Sequence, residues 1–236
     1  SSNEMVAAVD EQGLVTAHQL GNTVITAEID ENNKVSCAIA VEDATVKAHY
    51  KKIRHEWRDR LTGRVLNDNT DPKYLNHVQE LTDQAQQYLD QMILSPGMGE
   101  DNRTTLWADI KLYDYPGYVT KDPKWTDVLD VTYSRVEGMA KAYAAEGGGL
   151  YRNEDLKAAI IDALEWLYMN KYNETYEFTK LYGNWWTWYI GLPKKLSEIL
   201  ILMYGELPDE LFKKEIRTLE HFNEDPTRHY GVDGIE

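Results

Sequence analysis

The chain has 236 residues, 42% of them hydrophobic, and a formal net charge of −15, enough apolar material for a real core and too much for a disordered chain. That acidity excludes a nucleic-acid binder, because phosphates call for a basic stripe. No apolar run reaches 18 residues, and residues 1–13 carry neither the basic nor the apolar part of a signal peptide, so no membrane span is expected and an export signal would lie upstream.

Residues 5–42 alternate short β-branched runs (Val24, Ile25, Thr26; then Val35 to Val41) with turn signals at Glu11-Gln12-Gly13, Leu20-Gly21-Asn22 and Glu31-Asn32-Asn33. This pattern predicts a small β module over residues 1–43. Val9, Asp10, Gly13, Val15, Thr16 and Ala17, followed by Gly21, Ile25, Thr26 and Ala27, resemble the second half of a bacterial Ig-like domain of group 2. A whole sandwich of that kind needs about 100 residues, so a partial β-sandwich is expected here, its first strands lying upstream or replaced by contact with a neighbour. Cys37 is the single cysteine; without a partner for a disulfide or a metal, it reads as a small buried apolar residue.

From Ala44 the period changes from 2 to about 3.6. Val46, Tyr50, Ile53, Trp57 and Leu61 share one helix face that ends at Gly63. Asp71-Pro72 opens a second helix through Val78, Leu81, Ala85, Leu89 and Met92 to a stop at Ser95-Pro96-Gly97. A third runs from Thr126 through Val136 and Tyr143 to Gly147. Asn153 reads as an N-cap with Glu154 and Asp155 in the first turn, ahead of the stripe Leu156, Ile160, Ala163, Leu164 and Leu167. Pro193 starts a fifth helix, with Leu196, Ile199, Leu200 and Met203 inward and Gly205 as its cap. Pro208 starts a sixth, with Phe212, Ile216, Leu219 and Phe222 inward. The fold class expected is mainly α: an array of helical hairpins over residues 44–236 that needs further hairpins to complete it.

Between the fourth and fifth helices stands GNWWTWYIGLP, residues 183–193. On a helix, Trp185, Trp186, Trp188 and Tyr189 would point all round the axis; in an extended segment they would alternate between two faces. Either way at least one indole meets solvent or a ligand. An exposed indole beside Asn184 suits a pyranose ring, which offers C–H faces for stacking and hydroxyls at its rim. The competing reading is a loop whose tryptophans all wedge between helices.

The run N-W-W-x-W-x-I-G-x-P (Asn184, Trp185, Trp186, Trp188, Ile190, Gly191, Pro193) resembles the signature of polysaccharide lyase family 8, the hyaluronate, chondroitin AC and xanthan lyases. Ile53–Gly63 and Tyr133–Tyr143 resemble helices of that family, and Asn153–Asn173 is similar to its xanthan lyase branch, so the likeness covers about residues 45–225. The resemblance implies the N-terminal part of an incomplete α/α toroid over residues 44–236, followed in a parent chain by large β-sandwich domains. It implies a secreted enzyme and an acidic polysaccharide as partner. Asn184, Trp185 and Trp186 carry over as substrate-binding residues; Trp188 is a second choice, with a structural role as its main reading, and Arg135 aligns loosely with a cleft arginine, a surface or helix-pairing role being the alternative.

Lyases of this family cleave by β-elimination beside a uronic acid, so placed donors must neutralise the carboxylate while a base removes the proton at C5. The family's catalytic asparagine, histidine and tyrosine are expected beyond residue 236, leaving no catalytic residue here and a chain that alone turns over no polymer. His221 and His229 match no catalytic motif. No HExxH and no histidine pair at i,i+4 occurs, so no metal is expected; no cofactor is implied, with calcium left open elsewhere in a parent chain. Lys171, Lys180, Lys194 and Lys195 flank the motif and soften the local charge toward a uronate. Xanthan is the leading substrate, hyaluronan and chondroitin the alternatives; a non-catalytic carbohydrate-binding module and a helical scaffold for protein partners are the other classes.

Overall fold

A computed structural model describes residues 1–30, 33–64, 70–112 and 124–223, which fall into two units, Ser1–Glu56 and Trp57–Glu236. In the first unit β1 (Ala7–Val9) pairs antiparallel with β2 (Val15–Ala17), and β3 (Gly21–Asp30) with β4 (Asn33–Val41) in the register Gly21↔Val41 to Glu28↔Lys34. Asp10 shapes the first turn, its Oδ1 accepting from the Gln12 and Leu14 amides at 3.0 and 2.8 Å. Gly21 and Asn22, expected in a turn, instead open β3, because the His18 and Gln19 amides close onto the Val6 carbonyl and the chain reverses there.

Cys37 also departs from expectation. It is exposed on β4, opposite Ile25, and no described residue of that strand is buried. A two-stranded ladder has two faces and hides neither unless another layer lies over it. The next element, α1 (Ala44–Leu61), likewise buries none of its residues, and Val46, Tyr50 and Trp57 of its apolar face are exposed.

The second unit is helical. Local chemistry sets its helix starts: the Asp71 carboxylate accepts from the Lys73 amide at the head of α2 (Pro72–Gln91), and Asn153 Oδ1 from the Leu156 amide at the head of α4 (Glu154–Asn170). Between them α3 (Lys124–Ala144) is the central helix, packed against α2, α4 and α5 (Leu192–Leu202), while α6 (Asp209–Phe222) packs on α4 and α5. Leu129, Tyr133, Val136, Met139 and Tyr143 of α3 meet Leu156, Ile160, Leu164 and Leu167 of α4 and Leu192, Leu196 and Ile199 of α5 in one core. After α2, residues 93–107 are pinned by two anchors. Arg103 donates to both Asp162 oxygens at 2.7 and 2.9 Å and to the Ile93 carbonyl, and buried Trp107 donates its indole N–H to the Tyr88 carbonyl at 2.8 Å.

Two details of the helical reading change. The cap of α5 is Met203, with Gly205 two residues on in the left-handed region. The buried stripe of α6 is Leu211, Glu215, Thr218 and Phe222; Phe212, Ile216 and Leu219 only flank it. A buried glutamate in that stripe is invisible to any rule that looks for apolar residues. Among the described residues no helix is long and apolar enough to cross a membrane.

Candidate functional site

The aromatic run is helical. Gly183 sits in the left-handed region at φ 66°, where a β-carbon would stand 2.8 Å from the Thr126 side chain, so glycine is required both by conformation and by space. Thr126 Oγ1 accepts from the Asn184 amide at 3.1 Å, and Asn184 Oδ1 accepts from the Trp186 amide at 3.0 Å. Asn184 therefore caps a new helical segment, its side chain folded onto the backbone of the two tryptophans that follow. Thr187–Gly191 forms a π-helical turn closed by the Leu192 amide on the Thr187 carbonyl, and the chain continues without a break into α5. Such a turn holds one residue more than an α-turn and re-aims the side chains on either side of it, a device frequent at functional sites.

The result is a division of labour inside one motif. Trp185 is 56% exposed and Trp186 43%, whereas Trp188 is 0% exposed. Trp188, the second choice as a sugar contact and the one read as structural, takes no part in the open surface. Its indole N–H donates to the Tyr182 carbonyl at 2.8 Å, and its ring lies 4.9 Å from that of Tyr176 and stacks at 6.2 Å on Phe222. Beneath it, Tyr172 and Phe222 stack at 4.3 Å. A packed aromatic floor thus anchors Trp188, while the two indoles just before it in the chain stay exposed, and among the described residues neither of those indole N–H groups has a protein acceptor. Tyr189 and Ile190, from the same run, line an open groove of about 690 Å³ together with Pro193, Lys194, Ser197, Leu219, Glu220 and Asn223.

Arg135 belongs to a different neighbourhood. On α3, Asp130 stands near the aromatic run, its Oδ1 3.0 Å from where a β-carbon on Gly191 would be; Arg135, five residues on, is turned about 140° away from that side chain. Its guanidinium pairs with both Asp109 oxygens at 2.9 and 2.5 Å and lies 5.3 Å over the rings of Tyr88 and Trp107. The flanking lysines are unevenly committed: Lys195 bonds Asp130 and Lys180 bonds Glu177, while Lys194 is exposed with no ion-pair partner among the described residues. His221 stacks on Phe178 at 4.4 Å with its Nε2 against the Tyr176 carbonyl, a packing role. His229 lies outside the described residues. No group of three or more His, Cys, Asp or Glu that could hold a metal occurs among the described residues.

Below the floor is a feature the sequence did not announce. Glu215 is 0% exposed and neither of its oxygens has a hydrogen-bond partner; the same holds for the Tyr133 hydroxyl and for Glu174 Oε2. Burial, with help from the Glu174 charge and against the pull of Lys214, pushes the Glu215 carboxyl up to about 8. Burial and the Glu215 charge raise the Tyr133 hydroxyl as well. Burial pushes Glu174 upward too, but its bonds from the Tyr168 hydroxyl (2.8 Å) and Arg217 (3.1 Å) outweigh that and hold it below the usual value. At neutral pH one carboxyl is therefore protonated and the other ionised.

Residues 57–234 match the family described as "Polysaccharide lyase family 8, N terminal alpha-helical domain". A xanthan lyase from a Bacillus species is 31% identical over 173 residues, covering 73% of this chain and 17% of that protein. A hyaluronate lyase from Enterococcus faecalis is 29% identical over 181 residues, covering 76% and 16%. Among solved structures, xanthan lyase of Paenibacillus superposes with a TM-score of 0.63 at 28% identity, over 75% of this chain and 15% of that one. Chondroitin AC lyase of Streptomyces coelicolor in complex with chondroitin sulphate gives 0.59 at 25% identity, over 74% and 21%. The chain thus spans between 15% and 21% of the length of these relatives.

Proposed function

The chain belongs to polysaccharide lyase family 8, and from that premise we propose that it forms the front of the helical domain of a secreted lyase acting on an acidic polysaccharide, with xanthan as the polymer. Residues 44–236 supply the start of the α/α toroid and residues 1–43 part of an Ig-like module. Asn184, Trp185 and Trp186 hold the sugar chain. The exposure of Trp185 and Trp186, against the complete burial of Trp188 in the same short run, carries this reading: an apolar ring is left open only at a cost of about 25 cal/mol per Å², and two adjacent ones with the Asn184 amide next to them in the chain match a pyranose face and its hydroxyls.

The reaction proposed for the parent enzyme removes the C5 proton of a uronate and breaks the bond at C4 without adding water. The groups that take and return the proton lie, in this proposal, in the remainder of the parent protein. This chain binds and orients. Holding several sugar units on a rigid platform lowers the entropic part of the barrier and fixes which linkage meets the catalytic groups. Xanthan is preferred over hyaluronan and chondroitin on the Asn153–Asn173 helix and on the likeness to xanthan lyases.

Calorimetric titration of xanthan, hyaluronan and chondroitin sulphate tests the reading. Xanthan is expected to bind most tightly, and Trp185→Ala and Trp186→Ala each to weaken it about tenfold. Unchanged affinity in both variants, with the fold intact, overturns the platform; a tighter hyaluronan complex overturns the choice of polymer.

A further inference from the structure

A surface that stacks an acidic polymer should not carry negative charge of its own, yet a carboxylate stands near Trp186, across the space that Gly191 leaves open. The position that a β-carbon on Gly191 would occupy lies 2.8 Å from Trp186 Cζ3 and 3.0 Å from Asp130 Oδ1. The indole edge and the carboxylate oxygen therefore flank the same small gap over Gly191, where α3 and α5 pack together. That same oxygen accepts a hydrogen bond from Lys195 Nζ at 2.7 Å, with side chains 28% and 16% exposed for Asp130 and Lys195. Both are sheltered enough that water screens them only partly. Beside them Lys194 is the exposed cation.

Packing alone does not call for an ion pair here. The corner between Thr126 and Gly183 one turn earlier on α3 is closed by a hydroxyl and a backbone amide. Deleting only the cation would leave a bare carboxylate near the platform, where it would repel the uronate carboxylates of a bound chain over the Debye length of about 8 Å. Deleting only the anion would turn the same place positive.

We propose that Lys195 is a specificity-determining residue of the Trp186 platform: by neutralising Asp130 near the indole it admits a polyanionic sugar chain that the overall charge of −15 opposes. The pair acts through charge, without contact to the sugar, and the inference rests on the assignment of Trp185 and Trp186 as sugar-contacting residues.

The probes are xanthan and xanthan whose carboxylates have been reduced to alcohols, titrated against wild type, Lys195→Met, Asp130→Asn and the double variant. Lys195→Met is expected to weaken native xanthan about tenfold at low salt, to lose most of that effect at 0.5 M NaCl, and to leave the reduced polymer within about twofold of wild type. Asp130→Asn, which frees the cation, is expected to tighten native xanthan, and the double variant to return to the wild-type affinity. Equal losses toward both polymers, no recovery in the double variant, or no loss in Lys195→Met overturn the inference. Trp186→Ala in parallel separates the two claims. If it weakens binding while Lys195→Met does not, the platform stands and the charge role falls; if it leaves binding intact, the platform assignment falls first.

Discussion

The hydroxyl of Tyr172 donates to the carbonyl of Trp188 at 3.1 Å, inside the protein. That carbonyl needs a donor because of the π turn: the Leu192 amide bonds the Thr187 carbonyl five residues back, and the next position in the same register is Pro193, which has no N–H. Tyr172 supplies the bond that proline withholds. Tyr172→Phe is expected to cost about 1–3 kcal/mol by leaving the carbonyl buried and unsatisfied, read as a lower urea midpoint at constant slope. Pro193→Ala placed in that background restores an N–H and should recover part of the loss. A Tyr172→Phe protein as stable as wild type would show that the carbonyl has another partner.

Gly191 has φ −61°, an ordinary helical value, so conformation does not explain glycine there and space does. Gly191→Ala improves helix propensity by about 1 kcal/mol but drives a methyl group into the indole of Trp186 and the Asp130 carboxylate. The expected outcome is little change in melting temperature together with a shifted tryptophan emission and polysaccharide affinity reduced as in Trp186→Ala. Wild-type affinity in this variant would mean that the position of the Trp186 ring is immaterial.

Glu215 makes stability depend on pH. Its carboxyl moves from the ordinary 4.5 to about 8 on folding, so below pH 4.5 folded and unfolded chains both hold the proton. Between pH 4.5 and 8 the unfolded chain releases it while the fold retains it, and stability falls as pH rises; above pH 8 the effect is constant. The loss at pH 7 is on the order of 3 kcal/mol. Glu215→Gln should therefore be more stable than wild type at pH 7 by an amount of that order and nearly equal to it at pH 4, measured as the difference between urea curves. A difference that does not change with pH would show that Glu215 is ionised inside the fold.

Arg135→Ala separates a structural arginine from a substrate-binding one. With its guanidinium over Tyr88 and Trp107 and paired to Asp109, truncation removes packing as well as charge. The expected loss is about 1–2 kcal/mol of stability with polysaccharide affinity unchanged. Weakened binding at full stability would return Arg135 to the sugar site.

The helical part of the fold was legible because its signals are local. Asp71 and Asn153 cap the helices they were expected to cap, and Pro72 and Pro193 stand in the first turns of theirs. Spacing put a hydrophobic stripe on each helix. It failed on α6, where the buried positions include Glu215 and Thr218, since burial of a polar group depends on which neighbours arrive around it. It failed at Cys37 for the complementary reason: alternation on a strand shows which side could face a core, and only a second layer makes one.

Within the aromatic run, counting directions established that the indoles could not all be hidden, whichever local conformation held. Which ones stay open was decided by contacts distant in sequence: Thr126 setting the entry at Asn184, and Tyr172 and Phe222 receiving Trp188. Composition, caps, periodicity and the motif are properties of neighbours along the chain, and these the amino-acid order determined by itself. Exposure, the charge state of Glu215 and the pairing of Asp130 with Lys195 depend on the field and volume made by α3, α5 and α6 together, and those came into being only when the helices packed.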